Sequence, residues 1–104
     1  MSTSFHNISA RNIGTSSYSI LTATEKQLII GNNFANNTPF DLTISVWINR
    51  SSVITKLATN VRILGSSNKE LFGKVLLEVG DILVASCPVD NGIDASITIL
   101  SGLA

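Results

Sequence analysis

A single cysteine, two prolines, one histidine, one tryptophan and one tyrosine in 104 residues leave little material for most site chemistries. With Cys87 alone, no intrachain disulfide can form and no multi-cysteine metal site can be built, so stability has to come from packing. With His6 as the one histidine, a metal centre of several imidazoles lacks its ligands. A Cys or Ser nucleophile would likewise need its base from the far N-terminal end. Charge is equally sparse: Lys, Arg, Asp and Glu make up 13% of the chain, against roughly 25% in an ordinary soluble domain. Seven basic residues balance seven acidic ones, so no net positive field exists to steer a polyanion, which argues against nucleic acid or a membrane as partner. No stretch approaches the roughly 18–20 apolar residues of a membrane-spanning helix, and the first dozen residues contain no apolar core of signal-peptide length, so a cytoplasmic start is expected.

What the chain has instead is apolar alternation. Hydrophobic residues form 44% of it, and the clearest period is two: from Phe40 to Asn49, the residues Phe40, Leu42, Ile44, Val46 and Ile48 alternate with Asp41, Thr43, Ser45, Trp47 and Asn49. That pattern, rich in β-branched residues, is a half-buried strand with the aliphatic set on its core face and Trp47 on the other. Either a loop or another subunit covers that indole, or neighbours within its own sheet shield it. Shorter runs at 17–23, 26–37, 53–59, 61–64, 73–79, 81–87 and 94–102 are bounded by Gly, Pro, Asn and Ser. The second of them loses regularity at Gly31-Asn32-Asn33, where a bulge fits. Asn49-Arg50-Ser51-Ser52 reads as a tight connection, and Asn91-Gly92 is the best hairpin dipeptide of the chain. No helix-length window repeats apolar residues at i, i+3, i+4 and i+7. The fold class is therefore all-β: a single-domain antiparallel β-sandwich, jelly-roll or Ig-like, of about eight strands. Residues 1–12, Ser-rich and irregular, are expected to be an arm that orders on assembly, with the sandwich occupying 13–104.

Glu78 and Asp81, either side of Val79-Gly80, are the obvious carboxylate pair. General acid–base work needs two such groups converging on one pocket, whereas these flank a turn, where carboxylates are usually solvated. Gly80 supplies a positive backbone angle and Asp81 an Asx-type hydrogen bond, so both are read as structural turn residues. On this reading 71–87 is a hairpin, Gly80→Val disturbs folding, and Asp81→Asn is nearly silent. The phrase Glu78-Val-Gly-Asp-Ile-Leu-Val-Ala-Ser-Cys-Pro88 also looks like the turn of a cupin-type barrel, but the histidines of such a metal site are missing. No Gly-x-Ser-x-Gly elbow or phosphate-cradling loop occurs. No catalytic, cofactor-binding or metal-binding residue is assigned, and no enzyme is expected.

Taken in order, the segments 11–23, 28–48, 57–63, 69–86 and 94–100 resemble small β-sandwich virion structural proteins (decoration or accessory proteins) of tailed bacteriophages, cyanophages included. The resemblance rests on Asn36, on the Val46-Trp47-Ile48 strand, on Leu57, Asn60 and Val61, and on Gly73, Lys74, Leu77, Glu78, Gly80, Asp81 and Leu83. The Asn-rich 31–37 stretch and Cys87 depart from it. It implies a non-enzymatic virion protein assembled in the host cytoplasm, most simply a capsid decoration or cement subunit that stabilises the particle. A neck or tail adaptor or fibre-associated protein is the alternative, and a carbohydrate-binding module a further one. The implied partners are copies of itself, a trimer being favoured, and the major capsid protein or other virion proteins, with no cofactor. Trp47, Phe5 and Ile8 are the candidate interface residues.

Overall fold

The computed structural model describes residues 4–102. The strands are β1 (Ser4–Ile13), β2 (Tyr18–Thr22), β3 (Gln27–Asn36), β4 (Leu42–Arg50), β5 (Val53–Ile63), β6 (Asn68–Lys69), β7 (Val75–Leu77), β8 (Ile82–Ser86) and β9 (Ile93–Ser101). They form two antiparallel sheets. A front sheet runs β1-β9-β3-β6, with β7 also on β3, and a back sheet runs β2-β8-β4-β5. Because β6 pairs with Phe34 and Ala35 while β7 pairs with Gln27, Leu28 and Ile29, the two short strands share one position beside β3. Eight strand positions in this order are those of a jelly roll, which settles the choice between the two sandwich types.

The core lies between the sheets and follows the alternation. Leu42, Ile44, Val46 and Ile48 of β4 face Ile93, Ala95, Ile97 and Ile99 of β9 across a buried cluster that also takes Ile29, Phe34, Leu77 and Leu83. A bulge sits in β3 between Ile29 and Gly31, where the sequence loses its regularity. Two asparagines of the same stretch are buried and act as polar clamps. Asn32 donates to the Phe72 carbonyl and accepts from the Leu71 amide, holding the link between β6 and β7 against Phe34. Asn36 donates to the carbonyls of Phe40 and Ile63 and accepts from the amide and hydroxyl of Thr38. All four of its hydrogen-bonding positions are therefore filled, as a buried amide requires.

Five expectations are corrected. First, residues 4–12 are not an arm in this structure: with Ile13 they form β1, which pairs along β9 from Ser4↔Ser101 to Ile13↔Ile93. Polar residues hid the strand because its outer face is wet and its ladder is supplied by β9; residues 1–3 of the expected arm lie outside the described residues. Second, 71–87 is not a hairpin. Asp81 N–H donates to the Glu78 carbonyl at 3.0 Å with Gly80 at φ 91°, the type II pattern, whose twist does not suit a two-stranded hairpin. Gly80 N–H donates to Ala23 O and Ala23 N–H to Asp81 O, each at 2.8 Å, so the turn is clamped to the end of β2. Its arms then part, Leu77 pairing in the front sheet and Ile82 in the back. Third, Asn91-Gly92 makes a turn with Asn91 at φ 59°, but it joins β8 to β9 in opposite sheets. Fourth, Phe40 precedes β4 in a bend and is exposed, not part of the core face. Fifth, 53–59 and 61–64 belong to a single strand, β5, running Val53–Ile63. Its register shifts opposite Ile44–Trp47, with Asn60 at φ 47°.

Candidate interaction surfaces

On the back sheet the alternation does place Trp47 outward. It pairs with Lys56 on one side and Val84 on the other, and it is half-buried because those neighbours, not another part of the chain, flank it. The register shifts in β5 open a shallow cleft beside the indole, lined by Ser45, Ile54, Lys56, Thr59, Asn60 and Ser86 among others. The Ser45 hydroxyl accepts from the Asn60 amide at 3.0 Å and donates to its side-chain carbonyl at 3.3 Å, which fixes the bulge and fills the polar valences nearest the ring.

On the front sheet the outer face has a different character. Outward positions follow from the register: Phe5, Asn7 and Ser9 on β1 pair with Leu100, Thr98 and Ser96 on β9. These in turn pair with Leu28, Gly31 and Asn33 on β3, and Leu28 pairs with Leu76 on β7. Phe5, Leu100, Leu28 and Leu76 thus form one apolar row across four neighbouring strands. Above it on β1, β9 and β3 come Asn7, Thr98, Ser9, Ser96 and Asn33, with no charge on those strands until Arg11 and Asp94 at the far end; Lys74, two residues before Leu76, and the Lys26–Glu78 ion pair border the row on the β7 side and below it. Asn7 donates to the Ser96 hydroxyl at 2.9 Å, a diagonal tie between β1 and β9 on that face. Of the candidate interface residues, Phe5 is 70% exposed on this face, while Ile8 lies on the inward side of β1 against the core. Trp47 belongs to the opposite sheet, so the three are not brought together.

Asp81 is where the sequence was least informative. It is fully buried, not solvated, and Arg50 grips it with Nε to Oδ1 at 2.8 Å and Nη2 to Oδ2 at 2.6 Å. The Glu78 amide also donates to Oδ2 at 2.8 Å. Chiefly through the Arg50 hydrogen bonds, then the Glu78 amide, its carboxyl is held below the ordinary aspartate range despite burial; Arg50 is correspondingly raised. Both acceptor atoms serve the turn and the ion pair. Arg50 went unnoticed although its signal was present: it continues the inward parity of Leu42, Ile44, Val46 and Ile48, a basic residue where the pattern points inside. Among the described residues no group of three or more His, Cys, Asp or Glu is placed to hold a metal ion. Cys87 is buried, with its single S–H shared between the carbonyls of Ile13 at 3.2 Å and Val89 at 3.1 Å.

These surfaces belong to an all-β jelly-roll sandwich. No protein-family model and no curated protein matches the chain. Among solved structures it is similar to the Podospora anserina GH26-CBM35 β-(1,4)-mannanase, at 11% identity and TM-score 0.49 over 98% of this chain and 28% of that one. It is also similar to infectious bursal disease virus, Gt strain, at 10% identity and TM-score 0.46 over 94% of this chain and 33% of that one. The chain spans a third or less of either, and likenesses this distant carry no argument about its activity.

Proposed function

We propose that the chain is a non-enzymatic structural subunit of a bacteriophage virion, a capsid decoration or cement protein that binds the shell and copies of itself. The observation that carries this reading is the outer face of the front sheet, where an exposed apolar row on β1, β9, β3 and β7 adjoins a field of Asn, Ser and Thr. A monomer that stayed in water would gain solubility from charges at those positions. The resemblance to small virion proteins of tailed phages supports the same role, and the jelly-roll order is one that viral capsid domains use. Such a protein works by contact area. Each covered apolar patch contributes about 25 cal/mol per Å² before association costs, and repetition over a shell multiplies a contact that is weak alone. No cofactor enters this reading.

The test is a count. Quantitative mass spectrometry of purified particles should find this chain in hundreds of copies beside the major capsid protein. A dozen or fewer would move it to the neck or tail, and absence from particles would overturn the reading. A glycan-binding role has one feature in its favour, the shallow cleft beside the Trp47 ring. It rests on a single aromatic, and a blank glycan array probed with the assembled protein would remove it.

A further inference from the structure

We infer that the outer face of the front sheet is a self-association surface on which a second copy stacks face to face. The twofold axis lies in the interface, along the strands between β9 and β3. The inference deepens the proposed function and rests on its self-associating part. Three features select a second copy over another occupant.

The first is the order of the row. Phe5, Leu100, Leu28 and Leu76 stand on β1, β9, β3 and β7 in that spatial sequence. A twofold between β9 and β3 reverses it, so that Leu100 of one copy meets Leu28 of the other and Phe5 meets Leu76. Every apolar group then faces an apolar group without a second, complementary patch elsewhere, as an isologous contact requires. A threefold ring would need that second patch.

The second is charge. On β1, β9 and β3, between the row and the level of Ser9 and Ser96, the face carries none; Lys74, two residues before Leu76, stands at the β7 border, and the twofold carries it onto the β1 side near Asn7, so like charges do not meet when the surface packs on itself. Arg11 and Asp94, on neighbouring strands at the far end, mark where the contact stops, and the crossing of about 30° between packed sheets separates that end from its copy.

The third is size. Six residues along β1, β9 and β3 at about 3.3 Å, with the three residues of β7 beside them and neighbours about 4.8 Å apart, give a footprint roughly 20 Å by 14 Å. With side-chain relief, two copies bury on the order of 600–900 Å², the size of a weak, transient interface. Such a contact is reversible in solution and becomes firm when repeated on a particle.

Sedimentation velocity and equilibrium on the full chain test this. A monomer–dimer equilibrium is expected in the micromolar range. Phe5→Lys and Leu76→Glu should each raise the dimer dissociation constant at least tenfold, and both changes in one chain should restore it to within about threefold, because the introduced charges are opposite and meet across the twofold. Both positions are exposed, at 70% and 42%, so folding is not at stake, and unchanged thermal unfolding of the variants verifies it. A protein monomeric at 100 µM, a trimer, or single variants that associate like the wild type would each overturn the inference; so would a double variant no better than the singles. A monomer abundant in particles would defeat this face and leave the virion role standing, whereas a dimer absent from particles would do the reverse.

Discussion

Arg50 closes β4 and Asp81 immediately precedes β8, one step past the Asn49↔Ile82 pair, so their contact continues the ladder after the backbone bonds end. Asp81→Asn, read from sequence as nearly silent, is therefore expected to destabilise. The new amide must turn its NH₂ toward either the guanidinium or the Glu78 amide, donor against donor, and the charge pairing is lost. A discounted figure of about 1–3 kcal/mol applies, since Arg50 is half exposed. Urea unfolding at pH 7 checks it, and an unchanged midpoint would return Asp81 to the solvated turn. The pH dependence has a definite sign. The folded Asp81 carboxyl titrates below its unfolded value of about 3.9, so its contribution is present above that pH and is lost as pH falls toward the lowered folded value. Acidifying from pH 5 to pH 3 should thus destabilise the wild type more than Asp81→Asn. The variant keeps some slope, because Asp90 is also held low by the Thr15 hydroxyl and amide.

At the level of elements, the apolar strands were legible, while the polar β1 and the continuity of β5 were not, and neither were the strands' destinations. Alternation gave β4 from Leu42 onward and β9 with the correct inward faces, Phe40 excepted, because period two survives wherever one side of a strand is wet and the other packed. Turn chemistry was legible too: Gly80 and Asn91 both adopt positive φ. Whether such a turn returns the chain to the same sheet or throws it across is decided by which ladder lies beyond, and that information is not local. The link that does make a hairpin, Arg50-Ser51-Ser52-Val53, has Ser51 at φ 50° and Ser52 at φ 68°, the type I′ conformation, on residues that do not favour it. Replacing Ser51 by Asn and Ser52 by Gly should stabilise the chain by about 1 kcal/mol, raising the unfolding midpoint by about 4–8 °C in calorimetry. A midpoint that stays or falls would show that the tip is not held in that turn. The apolar row of the front sheet was invisible for the same non-local reason. Its four members come from four separated segments, and only the register assembles them.

In the molecule as a whole, the first and last strands are neighbours: β1 is an edge strand whose ladder partner is β9, a central strand of the front sheet beside β3. Reading residues 1–12 as an arm and reading them as a strand predict opposite results for one deletion. Removing an arm would leave the folded domain intact and affect assembly alone. Removing a strand takes away the register pairs from Ser4↔Ser101 to Ala10↔Ala95, uncovers one side of β9, and deletes buried Ala10 and the contact of Ile8 with the core. At about 0.5–1.5 kcal/mol for each ladder hydrogen bond, the loss is several kcal/mol, comparable to the whole stability of about 5–15 kcal/mol of a domain this size. A chain starting at Ile13 should therefore lose its cooperative unfolding transition in circular dichroism, and an exposed β9 edge should make it aggregate. If that chain instead unfolded cooperatively near the wild-type midpoint, the β1–β9 ladder would contribute little and the segment would serve assembly. Since Phe5, one end of the proposed contact, lies on β1, the same result would also remove the fixed platform on which a second copy is meant to stack.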